Sequence, residues 1–193
     1  MAVRRYSLVL TVLFALAYFH YNDKKRVEMV VTTKKDMKKD VKLVLVSDLH
    51  LGYHNTRADL HRWLTLLKAE HPDAILIGGD LIDGSYRPVA QEHMAEEFRS
   101  LDIPVIACLG NHDYYTGLNA DLQFCRDAGI MVLRDKTVNI NEIGNITVIG
   151  RDDRTNRQRK SLSEVMRGGR QVPFSHRAQP SALSFGRSRK QWS

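Results

Sequence analysis

Cysteine is nearly absent from this sequence. The chain of 193 residues has two, Cys108 and Cys125, and no Cys-x-x-Cys pair, so neither a disulfide framework nor a zinc ribbon organises it. Cys108 lies within an apolar run and reads as a buried thiol. Long apolar runs are scarce as well. Tyr6–Tyr21 (Y-S-L-V-L-T-V-L-F-A-L-A-Y-F-H-Y) has 16 residues, short of the roughly 17–25 usual for a spanning helix. The body of the chain also lacks an excess of basic charge. Of the 29 Lys and Arg, 11 fall in residues 151–193 with only 3 of the 22 Asp and Glu, which leaves 18 basic and 19 acidic groups on residues 1–150. The formal charge of +7 therefore resides in the tail and is no sign of a nucleic-acid-binding face on the folded part. The tail has no aromatic interleaving beyond Phe174, Phe185 and Trp192, and no nucleic-acid partner is expected.

What remains is ordinary globular composition, 43% hydrophobic and 26% charged, with room for one domain and a sizeable core. Two readings of the N-terminal run stand. As a membrane anchor, it is extended by flanking Tyr and Lys at the interface. As a secretory signal, Arg4 and Arg5 form the charged region, Leu8–Phe14 the apolar core and Ala15-Leu16-Ala17 the small-x-small cleavage site. A helix of the globular core fits less well, because the run is apolar all round rather than striped. The chain is thus expected to be membrane-associated through residues 1–21. Arg4 and Arg5 face Lys24, Lys25 and Arg26 across the run, so the side of the membrane is not set. Residues 22–40 read as a linker, with Glu28–Thr33 a candidate first strand.

From Val41 a pattern of apolar run, polar loop and helical stripe repeats. Val41–Val46 leads into Ser47-Asp48-Leu49-His50-Leu51-Gly52. Ala74–Ile77 leads into Gly78-Gly79-Asp80-Leu81-Ile82-Asp83-Gly84. Val105–Leu109, opened by Pro104, leads into Gly110-Asn111-His112-Asp113. Leu60, Trp63, Leu64 and Leu67 recur at helical spacing, closed by His71-Pro72. Pro88, tolerated in a first helical turn, begins a helix predicted to reach about Leu101, with Met94, Phe98 and Leu101 as its stripe. Leu118–Asp127 predicts a helix with Leu122 and Cys125 inward and Gly129 as its C-cap. Met131–Leu133 is a short fourth strand. Thr137–Ile143 and Ile146–Gly150, joined through Gly144-Asn145, read as a hairpin. Strands alternating with helices imply an α/β fold of βαβ units with right-handed crossovers and a mainly parallel sheet.

In such a sheet ligands bind at the carboxyl edge of the strands, and all three polar loops meet there. Asp48 and His50 flank Leu49; in extended chain their side chains point the same way and reach one ion. Asp80, from the neighbouring strand, can bridge two ions through its two oxygens, and Asn111 offers a neutral oxygen to the second. Carboxylate, imidazole and amide together suit Mn, Fe or Zn better than Ca. Two such ions about 3.5–4 Å apart clamp the attacking and leaving oxygens of an in-line displacement and acidify a bound water. His112 can project elsewhere than Asn111 and protonate the leaving oxygen. Asp113 reads as a hydrogen-bond acceptor rather than a ligand. His54, His61, His71 and His93 lack a strand-end context and read as surface residues. Asp152 and Asp153 either line the substrate site or hydrogen-bond within their loop.

Asp48-Leu49-His50, Gly79-Asp80-Leu81-Ile82-Asp83 and Gly110-Asn111-His112-Asp113, in this order and at strand ends, resemble the first three blocks of the calcineurin-like metallophosphoesterases. The resemblance covers about residues 40–160. It implies a β-sandwich flanked by helices, here incomplete, with the first βαβαβ half plus a β-hairpin. It also implies a dinuclear centre with Asp48 and His50 on the first metal, Asp80 bridging and Asn111 on the second, His112 as the catalytic histidine and Asp83 orienting its imidazole. The Tyr6–Tyr21 run, S-D-L-H-L-G-Y and Gly150-Arg151-Asp152-Asp153 are similar to the membrane-associated branch of that family. That branch implies a phosphoester substrate, including lipid-linked pyrophosphates such as UDP-diacylglucosamine.

The sequence departs from the family beyond these blocks. The family completes its site with three further histidines, two of them in a Gly-His-x-His block. Here the single histidine after His112 is His176, in a stretch without periodicity. The domain is expected over 41–166. Residues 167–193, rich in Gly, Pro, Ser, Arg and Gln, are expected to be a disordered basic tail. The abrupt loss of apolar periodicity near Met166 reads as truncation or a shifted reading frame. The alternative to an active hydrolase is then a catalytically impaired fragment or a non-catalytic interaction module.

Overall fold

The structure is a computed structural model that describes residues 40–141, 143, 146–168 and 171–174. The Tyr6–Tyr21 run, Glu28–Thr33, Gly144-Asn145 and His176 lie outside the described residues. In chain order the elements are β1 (Leu43–Val46), β2 (Leu51–Gly52), α1 (Arg57–Ala69), β3 (Ala74–Ile77), β4 (Ile82–Asp83), α2 (Tyr86–Gln91), α3 (Met94–Arg99), β5 (Val105–Ala107), α4 (Asn111–Ala128), β6 (Met131–Val132), β7 (Lys136–Ile140), β8 (Ile146–Gly150), α5 (Leu162–Gly168) and β9 (Gln171–Val172). The α/β class is as expected.

Four parallel strands form the central sheet in the order β1-β3-β5-β6. Their register sorts the apolar residues onto two faces. Ile75 and Ile77 of β3 share a face with Val105 and Ala107 of β5, and that face packs on Leu60, Leu64, Met94, Phe98, Phe124, Cys125 and Ala128 from the helices. Phe98 meets Phe124 edge to face, with ring centroids 6.0 Å apart. Truncating one such fully buried side chain to Ala costs about 2–5 kcal/mol. The opposite face, with Ala74 and Ile106, packs on Val138, Ile140 and Ile143 at the second sheet, β8-β7-β9. The second layer therefore exists in part. Among the described residues it stops short of β1, where Leu43 is 38% and Leu45 72% exposed. Gln171–Val172, in the stretch expected to lack periodicity, pairs parallel with Thr137–Val138.

Two helical expectations need correction. The helix predicted from Pro88 to Leu101 is two helices, broken where His93 takes φ +53°. The stripe of Met94 and Phe98 holds, but the chain turns because Glu92 is drawn to the N-terminus of α1. Its carboxylate accepts from Arg57 N at 2.6 Å and its carbonyl from Arg57 Nη1 at 3.2 Å. The helix predicted from Leu118 begins at Asn111 instead and is kinked at Gly117, φ +124°. Its first turn is polar and carries no apolar stripe, so periodicity reports only the part beyond the kink. Gly129 caps it at φ +72°, as expected. Leu122 is only half-buried, and Phe124 takes the inward place with Cys125. Cys108 is also half-buried, and burial pushes its thiol up.

Candidate metal centre

The ligand loops interrupt two neighbouring strands at the same level. Val46 pairs with Ile77 before the break, and Leu51 with Ile82 after it, in unchanged register. Between them the backbone leaves extended geometry: Asp48, His50 and Asp80 all have left-handed φ, +59°, +43° and +55°. The premise that Asp48 and His50 share a side because the chain is extended is therefore incorrect. Both are turned by the left-handed loop, which still brings His50 Nε2 to 3.7 Å from Asp48 Oδ1. Left-handed backbone at non-glycine residues costs of order 1–3 kcal/mol each and persists only where the surroundings enforce it. Here the enforcement is visible: Asp48 N donates to Gly79 O at 3.1 Å, His50 N to Asp80 O at 3.0 Å, and Asn55 Nδ2 to the carbonyls of Leu49 and His50 at 2.9 and 3.2 Å.

Asp113 organises the floor. It is completely buried. Its Oδ1 accepts from Leu81 N at 2.7 Å and Ile82 N at 3.3 Å, and its Oδ2 from Asp80 N at 2.9 Å and Gly110 N at 2.8 Å. One carboxylate thus binds the second loop to the start of α4, in the hydrogen-bonding role expected for it. Burial pushes the Asp113 carboxyl up against the pull of these four N–H groups. Asp80 in turn accepts from His112 N at 2.9 Å through Oδ1, at the positive end of α4. The two loops approach so closely that no side chain fits between them. A methyl at Gly79 would meet Gly110 N at 2.5 Å, and one at Gly110 would meet Asp80 Cγ at 2.7 Å.

Asp83 sits between the two imidazoles. Its Oδ1 accepts from His112 Nδ1 at 2.9 Å, and its Oδ2 lies 3.5 Å from His50 Nδ1. The bond to Asp83 raises the pKa of His112, and the same bond lowers that of Asp83. The His50 and His112 rings meet edge-on with centroids 4.6 Å apart. One ligand atom each from His50, Asp80 and His112 fall within 4.8 Å of one another.

The remaining candidates fall outside this triad. Asp48 stands at the rim with its side chain 63% exposed, its carboxylate bonded to Ser47 Oγ. Asn111 opens the first turn of α4 and is half-buried. Asp153 accepts from Thr155 N at 2.8 Å and Thr155 Oγ1 at 2.7 Å within its own loop. Asp152 is 3% exposed and receives Tyr114 Oη at 2.7 Å, Arg134 Nε at 3.0 Å and Asn156 Nδ2 at 3.0 Å. It joins the loop after β8 to the first turn of α4. His54, His61, His71 and His93 are exposed, as expected. Sequence reasoning missed the Tyr114–Arg134–Asp152 network, for which no local signal exists. It also missed that Asp83 faces His50 as well as His112. The capping pattern of Asp113, third residue of the helix that Gly110 caps, was the available signal for its anchoring role.

The donor set fits a divalent cation of the Mn, Fe or Zn type: the His50 imidazole lies within 4.8 Å of an Asp80 oxygen and 3.7 Å from Asp48 Oδ1, which joins nitrogen and carboxylate donors at one place. Comparison with known proteins agrees with this chemistry. The calcineurin-like phosphoesterase family is matched over residues 41–182. A metallophosphoesterase of Aquifex aeolicus is 33% identical over 138 residues, 70% of this chain and 50% of that protein. A transmembrane protein with a metallophosphoesterase domain from Danio rerio is 34% identical over 93 residues, 47% of this chain and 21% of that protein. The UDP-2,3-diacylglucosamine pyrophosphatase of Chlamydia trachomatis is 31% identical over 84 residues, 42% of this chain and 25% of that protein. The chain spans half or less of the length of these relatives.

Proposed function

The chain belongs to the calcineurin-like phosphoesterase family, a family of hydrolases, and on that premise we propose that it hydrolyses phosphoesters at a dinuclear centre. Asp48, His50, Asp80 and Asn111 are the residues that would hold the two divalent ions. Bound ions supply positive charge at the phosphoryl oxygens and acidify water near neutral pH. The chain's own groups supply the proton. Asp83 holds the His112 ring through Nδ1 and favours its imidazolium form, whose Nε2–H His112 gives to the leaving oxygen, returning to the neutral Nδ1–H tautomer. The observation that carries this reading is the convergence of His50, Asp80 and His112 within 4.8 Å, with Asp83 against both imidazoles.

The substrate class extends to a lipid-linked pyrophosphate, reached from a membrane tether at residues 1–21. Similarity to the pyrophosphatase of Chlamydia trachomatis and to the transmembrane protein of Danio rerio supports this. Among the described residues no helix is long and apolar enough to cross a membrane, so the tether rests on the Tyr6–Tyr21 run.

The test is Mn²⁺ titration of the whole chain, followed by calorimetry, with hydrolysis of bis-p-nitrophenyl phosphate. Two ions bound and turnover lost in Asp80→Asn are expected. Turnover that survives both chelation and Asp80→Asn would refute the proposal. A second reading, a non-catalytic module, is favoured by the exposure of Leu43 and Leu45 on β1; metal uptake without hydrolysis would select it.

A further inference from the structure

Tyr115 stands beside the proposed proton donor. Its ring lies 6.0 Å from the His112 ring, centroid to centroid, at an interplanar angle of 67°, yet the residue is 72% exposed. The position is held, not frayed. Thr116 Oγ1, the next residue, donates to Ile82 O at 3.2 Å on β4, and Gly117 then breaks the helix. Tyr115 thus belongs to a single turn pinned to the strand that carries Asp83. Tyr53 is 70% exposed at the same edge, one residue past Gly52, which pairs with Asp83. Large aromatic faces left in water next to reacting groups are stacking surfaces for planar ligands.

Resting on the hydrolase reading above, we propose that Tyr115, with Tyr53, selects phosphoesters whose leaving group is a planar aromatic, by stacking that group while His112 addresses the ester oxygen. Tyr115 contributes to binding and not to bond breaking. From the usual strength of a ring stacked on an aromatic side chain, the preference for an aryl over an alkyl ester centres at about thirtyfold. Both tyrosines are exposed, and their replacement leaves the core untouched.

Non-hydrolysable probes test this without turnover. Phenylphosphonate and methylphosphonate are titrated into the full chain with diamagnetic Zn²⁺ already bound; calorimetry reads both affinities, and NMR follows the phenyl protons of phenylphosphonate. Wild type is expected to bind phenylphosphonate about thirtyfold more tightly, with ring-current shifts of the phenyl protons. Tyr115→Ala should lose most of that preference and leave methylphosphonate affinity unchanged, and Tyr115→Phe should retain it. Equal affinity for the two phosphonates in wild type, or a preference that survives in the Tyr53→Ala/Tyr115→Ala double variant, overturns the stacking proposal alone. Failure of both phosphonates to bind the Zn²⁺-loaded protein overturns the hydrolase reading and this proposal with it.

Discussion

Replacing Asp113 by Ala removes the acceptor of four backbone N–H groups at once. The four are not equivalent. Leu81 and Ile82, which donate to Oδ1, are 2% and 0% exposed; Asp80 and Gly110, which donate to Oδ2, are half-buried. A buried donor left without a partner costs about 1–3 kcal/mol, so the inner pair loses roughly 2–6 kcal/mol while the outer pair recovers bonds to water. Removal of the carboxylate also relieves the burial that pushes its pKa up, an offset that brings the expectation to about 3 kcal/mol. That is a large part of the 5–15 kcal/mol that holds a domain together. Asn in the same place keeps a carbonyl oxygen for the inner pair and turns its amide N–H toward the outer one, and should cost about half as much. Urea unfolding followed by tryptophan fluorescence and far-UV circular dichroism reads both values, provided the slopes match. An Ala variant within about 1 kcal/mol of wild type, or an Asn variant as damaged as Ala, would refute the claim that inner donors dominate.

Two further outcomes follow from the charges. In metal-free protein, Asp83→Asn should lower the His112 pKa toward the ordinary imidazole value near 6.5, because the bond to Asp83 raises it; an NMR pH titration of the imidazole resonances measures this. The His112 side of the pair stabilises fully below the unfolded imidazole value and fades as pH rises through the folded one. The Asp83 side, with lowered pKa, is present above the ordinary carboxyl value and fades as pH falls through the folded one. Both side chains are over a third exposed, so the total should stay below about 1 kcal/mol. Asp121 behaves oppositely. It is fully buried, neither oxygen has a hydrogen-bond partner, and burial pushes its pKa up to about 8. The folded state then holds a proton that the unfolded state releases near pH 4, so stability falls as pH rises toward 8. Asp121→Asn should flatten thermal-melting midpoints between pH 5 and 8; an unchanged slope in the variant rejects this role.

The strands and the first helix could be read from the sequence because their apolar residues repeat with the period of the element. Ala74–Ile77 matches its predicted bounds, and Leu60 and Leu64 are buried on α1. Where local pattern and tertiary contact disagree, the contact decides. The stripe of Met94 and Phe98 carries no sign that Glu92 will be drawn to α1, and the polar turn Asn111–Thr116 carries no apolar period at all. The site was legible as residue types at strand ends, but its geometry was not. Asp48 and His50 were expected to meet through extended backbone and meet instead through left-handed turns, whose cost is met by cross-strand bonds that no single segment encodes.

The alternation of strands and helices and the residue types delivered to the carboxyl ends of the strands were settled along the chain, since periodicity and turn chemistry act over a few residues. The floor built on Asp113, the sharing of Asp83 between two imidazoles and the link from Asp152 to Tyr114 and Arg134 were settled only by the tertiary structure. Each joins groups separated by 18 to 38 positions, and a hydrogen bond over that separation depends on how the layers pack, not on any neighbour in the sequence.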